Sequence, residues 1–212
     1  GYKLVGMDAS GLELRMLAHY MNDEGYTAEL LLGDIHTANM KAAGLNSRDT
    51  AKTFVYAYLY GAGDAKIGSI VGKGAGAGRK LKKKFLDNTP ALATLREGVD
   101  RACKKGYLRS IDGRKIEVRS PHAALNTLLQ SAGAIVMKKA LVILDEYATK
   151  QRIDYRFVGN IHDEIQTEVR EDQAEKFGRL ATQCMEAAGI QLGFRLPIAG
   201  EYKVGSSWAE TH

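Results

Sequence analysis

Cysteine is scarce in this sequence, and its scarcity excludes two kinds of structural framework. Among 212 residues only Cys103 and Cys184 occur, and neither belongs to a CxxC pair. A disulfide framework or a zinc site is therefore not expected, and the composition is typical of a protein from a reducing cytoplasm.

Long apolar runs, a signal peptide and an initiator methionine are missing as well. No apolar run approaches the roughly 18 residues of a membrane-spanning helix, so no membrane is expected among the partners. The chain opens at Gly1 and enters a strand-like segment almost at once. Such a beginning is expected of a processed chain or of a piece of a longer one.

The residues that are present describe an ordinary globular protein with a basic bias. Hydrophobic residues make up 45% of the sequence and charged residues 26%, which excludes a disordered chain. The formal net charge is +5 and the pI about 9.1. This balance mildly favours polyanionic partners.

Helical and strand-like patterns are mixed without the rhythm of βαβ units, which predicts the α+β class. Ser10 is expected to be the N-cap of the first helix, with Glu13 at the capping-box position. The glycine-rich segment 72–78 is expected to be a flexible loop. Strands are predicted at residues 2–7, on both sides of the turn at 162–163 and within 197–208, and a hairpin is predicted at 107–118. Helices are predicted over residues 34–43, 48–60, 79–106 (with a break at Pro90), 122–150 and 172–189.

The segment NIHDEIQ, residues 160–166, places two adjacent carboxylates in a strand-like run, where acids are unusual. A turn at His162 and Asp163 resolves the conflict, because turns tolerate Asp and expose it at the end of a sheet. If this hairpin pairs beside the first strand, Asp163 meets Asp8 at one edge. Two such carboxylates suit Mg²⁺, which takes one or two of them together with phosphates. A solvated turn and a strand-end cap explain the same pattern.

Arg48, Lys52, Tyr56 and Tyr60 recur every four residues, so they form one stripe along a helix. The two cations at the helix start could hold a triphosphate, since the helix dipole also favours anions there. The two tyrosines could stack on a base or a sugar. A charged helix face whose tyrosines pack under a neighbour explains the stripe as well.

The basic segment GKGAGAGRKLKKK, residues 72–84, contains no GxxxxGK[ST] motif and follows no predicted strand. It is therefore not a P-loop. A mobile basic loop in contact with a nucleic-acid backbone fits it better, and a solvated loop fits it too. Lys82, Lys83 and Lys84 are typical of a solvated helix face.

Three segments together resemble the signature motifs of family A, or polymerase I-like, DNA polymerases. Residues 8–20, DASGLELRMLAHY, resemble the first motif, residues 48–61 are similar to the second, R-x3-K-x7-YG, and HDE at 162–164 matches the third. Residues 108–134 and the ending WAETH resemble the replicative polymerases of short-tailed phages. The resemblance covers essentially the whole chain.

The resemblance implies template-directed DNA synthesis by two-metal nucleotidyl transfer on primer–template DNA with deoxynucleoside triphosphates. Asp8 and Asp163 would hold two Mg²⁺ ions, with the backbone carbonyl of Ala9 as a further ligand. The primer 3′-hydroxyl would attack the α-phosphate and pyrophosphate would leave. Glu164 would be a nearby acid with a secondary role.

The resemblance also implies a set of nucleotide-binding side chains. Lys52 would contact the α-phosphate side and could protonate the leaving group, while Arg48 and His36 would hold the β- and γ-phosphates. Tyr56 would pack against the incoming sugar and base. Glu13 would pair with Tyr56 and crowd the 2′ position, which would exclude ribonucleotides.

The implied DNA contacts lie on other elements. Tyr60 would stand beside the template base. Asn126 and Gln130, one turn apart on the long helix, would face the minor groove, whose acceptors are common to all base pairs. Arg119 and His162 would contact the DNA backbone.

Within such a polymerase, residues 1–33 would begin the palm, residues 34–106 would form the fingers, and residues 107–212 would complete the palm. A complete member also carries an exonuclease or exonuclease-like domain, a thumb and the first half of the palm, which this sequence lacks. The chain is therefore expected to be the C-terminal portion of a split or truncated polymerase, inactive alone and dependent on an N-terminal half in trans. If a phage encodes it, the host cytoplasm is the expected location.

Two other functions stay open. A fragment of a single-subunit RNA polymerase would share a similar acid pair and the helix from Lys52 to Gly61, although Glu13 together with Arg48 at this spacing argues against it. A fragment that binds DNA or nucleotide without turnover is the non-enzymatic alternative.

Overall fold

The computed structural model describes all residues from Gly1 to His212, and the chain folds into two compact units. The first unit contains residues 1–16 and 131–212, and the second contains residues 17–130. In chain order the elements are β1 (Tyr2–Ala9), α1 (Leu12–Met21), α2 (Glu24–Leu32), α3 (Ile35–Ala43), α4 (Arg48–Leu59), α5 (Asp64–Ile70), α6 (Ala75–Asp87), α7 (Pro90–Lys104), β2 (Tyr107–Arg109), β3 (Lys115–Glu117), α8 (Ala124–Lys150), β4 (Tyr155–Ile161), β5 (Glu164–Arg170), α9 (Ala174–Gln191), β6 (Gly200–Gly205) and α10 (Trp208–Thr211).

An antiparallel sheet organises the first unit, with the strand order β4-β5-β1-β6. Strand β1 is therefore interior, because it pairs with β5 on one side and with β6 on the other. A register shift interrupts the pairing of β4 with β5 between Phe157 and Gly159. The mixture of helices with an antiparallel sheet confirms the predicted α+β class.

Side chains of β1 alternate between the two faces of this sheet. Val5 and Met7 are both 1% exposed and lie on the face that α9 covers. Gly6 lies on the opposite face, beneath α10. A Cβ at Gly6 would lie 2.4 Å from both the Gln166 Nε2 and the Thr211 backbone oxygen. Glycine at this position therefore lets α10 approach the sheet.

Helices dominate the second unit, and local sequence sets the ends of two of them. The Asp34 side chain caps α3 by accepting a hydrogen bond from the His36 amide, and Gly44 ends α3 with φ +66°. The Ser47 side chain caps α4 by accepting a hydrogen bond from the amide of Thr50. Both boundaries agree with the predicted ones.

The glycine-rich segment 72–78 is not a loop throughout, because α6 begins at Ala75. Gly78 is buried within α6 where this helix packs on α5. A Cβ at Gly78 would lie 2.0 Å from the Asp64 backbone oxygen and 2.7 Å from the Gly68 nitrogen. The glycine serves close helix packing here, and this packing overrides its tendency to break helices.

Other expectations about helices also need correction. Helix α1 begins at Leu12, after Gly11 with φ +57°, so Ser10 is not its N-cap. Helices α2 and α5 are absent from the prediction, since neither carries a strong apolar periodicity.

The long helix α8, with the turn before it, corrects the expectation about apolar runs. Over Pro121–Lys150 it is long and apolar enough to cross a membrane by length and composition, yet half of its most apolar window is buried inside the protein. The core helix of a soluble protein meets the same criterion. This helix therefore gives only weak evidence for a membrane span.

Candidate active site

Two carboxylates lie at one end of the sheet in the first unit. Asp8 is the next-to-last residue of β1, and Asp163 lies in the two-residue turn between β4 and β5. Asp8 pairs with Glu164 across β1 and β5, and the amide of Ala9 donates to the carbonyl of Asp163 over 2.9 Å. The backbone therefore holds the hairpin turn beside the end of the first strand.

The negative charges of these acids repel one another. Partial burial of the carboxylate beneath neighbouring groups, followed by the charges of Asp163 and Glu164, raises the pKa of Asp8, while the nearby His212 opposes this shift. Asp8 is exposed and Asp163 is half-buried, so both carboxylates remain accessible from solvent. The result is a negative site that a positively charged ligand would relieve.

The donor set fits a cation that is held only in part by protein. No group of three or more His, Cys, Asp or Glu side chains is arranged to hold a metal ion. Asp8 and Asp163 therefore supply two carboxylates and not a complete protein ligand set. Mg²⁺ usually takes one or two carboxylates and completes its coordination with waters and substrate phosphates, so these residues fit it.

Glu164, the third acid, is engaged by neighbours. It is only 4% exposed, and it accepts hydrogen bonds from Trp208 Nε1 at 2.8 Å and from Gln166 Nε2, while His212 Nδ1 lies 2.6 Å from its other oxygen. Burial raises the pKa of Glu164, but the hydrogen bonds from Gln166, His212 and Trp208 outweigh burial and the net shift is downward. Glu164 is thus kept ionised by protein groups.

The partners of Glu164 were missed by sequence reasoning. Trp208 and His212 belong to the ending WAETH, and Thr211 from the same segment donates to Gln166 Oε1 over 2.9 Å. The polar and aromatic composition of this ending could have suggested a functional role. Nothing in the local sequence indicated that it packs against β5, which lies more than 40 residues earlier in the chain. Only the pairing of β6 with β1 brings it there.

Two further predicted site residues of this unit, His162 and Glu13, lie in segments next to β5 and β1 in the chain. His162, with φ +55°, is exposed in the turn next to Asp163. Glu13 is half-buried in the first turn of α1. Its predicted partner Tyr56 belongs to the second unit.

The predicted stripe in the second unit lies on one side of α4. Ala51, Phe54, Val55, Tyr58 and Leu59 are its buried residues. Arg48, Lys52 and Tyr60 are exposed and Tyr56 is half-buried, so the stripe faces away from the core. The rings of Tyr56 and Tyr60 stack with centroids 6.5 Å apart, and the His36 ring lies 6.4 Å from that of Tyr56.

Arg48 has an acidic partner that sequence reasoning did not identify. Its Nε and Nη2 contact the two carboxylate oxygens of Asp34 at 2.8 and 3.1 Å. These hydrogen bonds hold the pKa of Asp34 well below its usual range. Burial, followed by the charges of Arg48 and Lys52, lowers the pKa of His36. The three basic side chains are therefore close enough to interact electrostatically.

Buried polar atoms lie close to Tyr56 and were also missed. The Tyr26 hydroxyl, the Asn39 Nδ2 and the His36 Nδ1 are buried and make no hydrogen bond of good geometry within the protein. Burial raises the pKa of Tyr26 to about 12, with Tyr56 adding to the shift and Asn39 opposing it. The sequence gave no indication that these polar atoms are buried, because polar residues on a helix are usually exposed.

The predicted DNA contacts in the second unit lie around the start of α8. Asn126 is half-buried and Gln130 exposed, one turn apart on the helix. Arg119 is exposed in the segment between β3 and α8.

Sequence comparisons place the chain among DNA polymerases. The family model for DNA polymerase family A matches residues 1–210. The chain is 46% identical over 232 residues to the DNA-directed DNA polymerase of Enterobacteria phage T3 and, over the same length, to that of Escherichia phage T7. Each match covers 98% of this chain and 33% of the phage protein, so the chain spans about a third of the length of these relatives.

A structural comparison agrees on the fold. The POL domain of Pol1 from M. smegmatis, solved in complex with DNA primer-template and dNTP, superposes with a TM-score of 0.87 at 22% sequence identity. The match covers 99% of this chain and 40% of that chain. With this fold, and with a family model that matches nearly every residue, the chain belongs to DNA polymerase family A.

Proposed function

We propose that this chain catalyses template-directed DNA synthesis, in which a primer 3′-hydroxyl attacks the α-phosphate of a deoxynucleoside triphosphate and pyrophosphate leaves. The observation that carries the proposal is the pair Asp8 and Asp163, held together at the end of the sheet in a member of DNA polymerase family A. Bound there, with the Ala9 carbonyl as a further ligand, two Mg²⁺ ions would neutralise charge on the attacking and leaving oxygens.

The basic stripe of α4 would hold the triphosphate. Lys52 would contact the α-phosphate side and could protonate the leaving group, and Arg48 and His36 would hold the β- and γ-phosphates. Their shared electrostatic neighbourhood supports this assignment. The phosphates would compete with Asp34 for Arg48, so nucleotide binding would exchange one charge-assisted contact for another.

The tyrosines of the stripe would contact the sugar and the bases. Tyr56 would pack against the incoming sugar and base, and Glu13 would pair with it and exclude ribonucleotides. Tyr60 would stand beside the template base. The stacked arrangement of Tyr56 and Tyr60 on the outer side of α4 supports aromatic contacts of this kind.

The DNA duplex would be held by weaker, sequence-independent contacts. Asn126 and Gln130 would face its minor groove, and Arg119 and His162 would contact its backbone. Arg119, Gln130 and His162 are exposed and Asn126 is half-buried, which supports contacts of this kind.

Activity would depend on the parts of the polymerase that lie outside the matched third of the phage relatives. We propose that these parts, including the thumb, the rest of the palm and any exonuclease domain, act on this chain as an N-terminal polypeptide in trans. The acid pair, which solvent can reach in this chain, would then act only in the assembled complex.

The test is primer extension by the chain mixed with its N-terminal partner polypeptide. Asp163→Asn is expected to abolish deoxynucleotide incorporation and to leave the fold intact, because the hairpin turn also accepts Asn. Asp112→Asn is the matched control, since Asp112 also lies in a hairpin turn but pairs with Arg114. Normal incorporation by the Asp163 variant would refute the acid-pair assignment.

The same assay separates the alternatives. Incorporation of deoxynucleotides and not of ribonucleotides is expected of a DNA polymerase, while the reverse preference would favour the RNA polymerase alternative. Binding of DNA without incorporation in every mixture with an N-terminal half would favour a fragment without turnover.

A further inference from the structure

The basic segment at residues 73–84 is divided by the structure into paired and unpaired cations. Lys82 contacts Asp64 at 3.1 Å and donates to the Ala62 carbonyl, and Lys83 contacts Asp87 at 2.6 Å. Arg79 also contacts Asp64, at 3.1 Å. By contrast, Lys73, Lys80 and Lys84 form no ion pair.

The three unpaired lysines line one groove of about 490 Å³ in the second unit. Lys80 and Lys84 are one turn apart on α6, and Lys73 precedes this helix. The groove contains no acidic residue; its other lining residues are Ala43, Gly44, Leu45, Asn46, Ser47, Thr50, Val71, Ala77 and Leu81. Three cations without a counter-charge therefore concentrate positive potential in a concave surface.

Two details of the backbone strengthen this groove as an anion site. The start of α4 lies on its wall at Ser47 and Thr50, where the helix dipole adds positive potential that Asp49 in the first turn offsets in part. A Cβ at Gly44 would lie 1.9 Å from Lys84 Nζ, so Lys84 reaches across from α6 to the turn after α3. Glycine at this position leaves room for the ammonium group.

We propose that this groove binds the phosphate backbone of single-stranded DNA, at a site separate from the acid pair and from the stripe of α4. The choice of DNA as the partner rests on the proposed function. The groove, with a volume of about 490 Å³, accommodates a few sugar–phosphate units of one strand. Its lining has no aromatic ring for base stacking, so the strand is held by its phosphates and without sequence preference.

The number of lysines sets the size of the effect. For single strands, each neutralised phosphate contributes about 0.7 to the slope of log K against log salt. Three lysines therefore contribute about 2 to that slope, which corresponds to a roughly 20-fold additional loss of affinity between 50 and 200 mM salt.

The experiment measures binding of a fluorescein-labelled oligothymidine to the full chain by fluorescence anisotropy, across a salt series with EDTA present. The site variant carries Lys73→Gln, Lys80→Gln and Lys84→Gln. The control variant carries Lys66→Gln, Lys83→Gln and Lys104→Gln, which removes the same charge from exposed positions outside the groove.

The site variant is expected to lose about 2 from the salt slope, while the control keeps the slope of the unmodified chain. An equal loss in both variants, or no loss in the site variant, overturns the proposal. So does site-dependent binding of labelled polyglutamate without binding of oligothymidine, which would assign the groove to an acidic polypeptide. Binding needs no turnover, so a slope change in a chain that does not incorporate nucleotides contradicts only the proposed catalysis.

Discussion

The hydrogen bond from Trp208 to Glu164 offers a direct test of how the third acid is held. Trp208→Phe keeps an aromatic ring but removes the Nε1 donor, which lies 2.8 Å from Glu164 Oε1. A hydrogen bond to a charged group contributes about 1.5–3 kcal/mol. Because Trp208 is 51% exposed and Gln166 still donates to the same oxygen, we expect a loss of about 1.5 kcal/mol in the free energy of unfolding at pH 7.

The loss should depend on pH in one direction only. The pKa of Glu164 is lowered in the folded protein from its ordinary value of 4.5. Its contribution to stability is therefore fully present above pH 4.5 and disappears as the pH falls through the folded-state pKa. Urea denaturation of the unmodified chain and of the Trp208→Phe variant, from pH 7 to the acid limit of the native state, measures the difference.

A second background identifies the charge as the cause. In a Glu164→Gln background the Trp208→Phe substitution should cost clearly less, because the acceptor is neutral. If the loss is equal in both backgrounds and flat with pH, the indole acts through its apolar contacts, and the reasoning about the hydrogen bond is wrong.

Three further predictions concern the second unit. Gly78→Ala should lower the free energy of unfolding by about 1–3 kcal/mol through overpacking. At Gly76 no atom lies within 4 Å of an added Cβ, so Gly76→Ala should be neutral or stabilising by up to about 1 kcal/mol. Equal effects of the two substitutions in urea denaturation would favour the flexible-loop interpretation of this segment. Tyr26→Phe removes a buried hydroxyl that has only the Asn39 amide beside it and makes no hydrogen bond of good geometry, so it should raise the free energy of unfolding by about 1 kcal/mol; a lower melting temperature in thermal denaturation would contradict this. Under the proposed contact of Tyr56 with the incoming sugar, Tyr56→Phe removes a hydroxyl from the sugar site, and it should selectively lower dideoxynucleotide use in primer extension because a dideoxynucleotide has no 3′-hydroxyl to replace it; an equal fall for deoxynucleotides would argue against the contact.

Features with a local cause could be predicted from the sequence. The caps at Asp34 and Ser47 follow from short side chains that bond to nearby amides, and the end of α3 follows from the preference of Gly44 for positive φ. The turn at residues 162–163 follows from the conflict between acids and a strand-like run. In each case a few consecutive residues contain the whole physical reason.

Features that depend on distant partners could not be predicted in this way. Gly78 looks like a helix breaker until α5 is known to pack against it. Arg48 looks free until the cap residue of α3, Asp34, is placed beside it. Glu164 looks like a repelled acid until β6 brings the chain's last residues to the same face of the sheet.

The environments of Asp8 and Glu164 help to choose between the two explanations of the NIHDEIQ segment, a cation site or a solvated turn beside a strand-end cap. Glu164 has protein donors that lower its pKa, while partial burial and neighbouring carboxylates raise the pKa of Asp8, which keeps an exposed surface. A raised pKa means that the ionised form of Asp8 destabilises the fold above that pKa, and this cost is present at neutral pH. A strand-end cap or a solvated turn gives no reason to keep an acid at such a cost, because Asn would serve both roles. A cation bound between Asp8 and Asp163 does give a reason, since it turns the repulsion into binding energy.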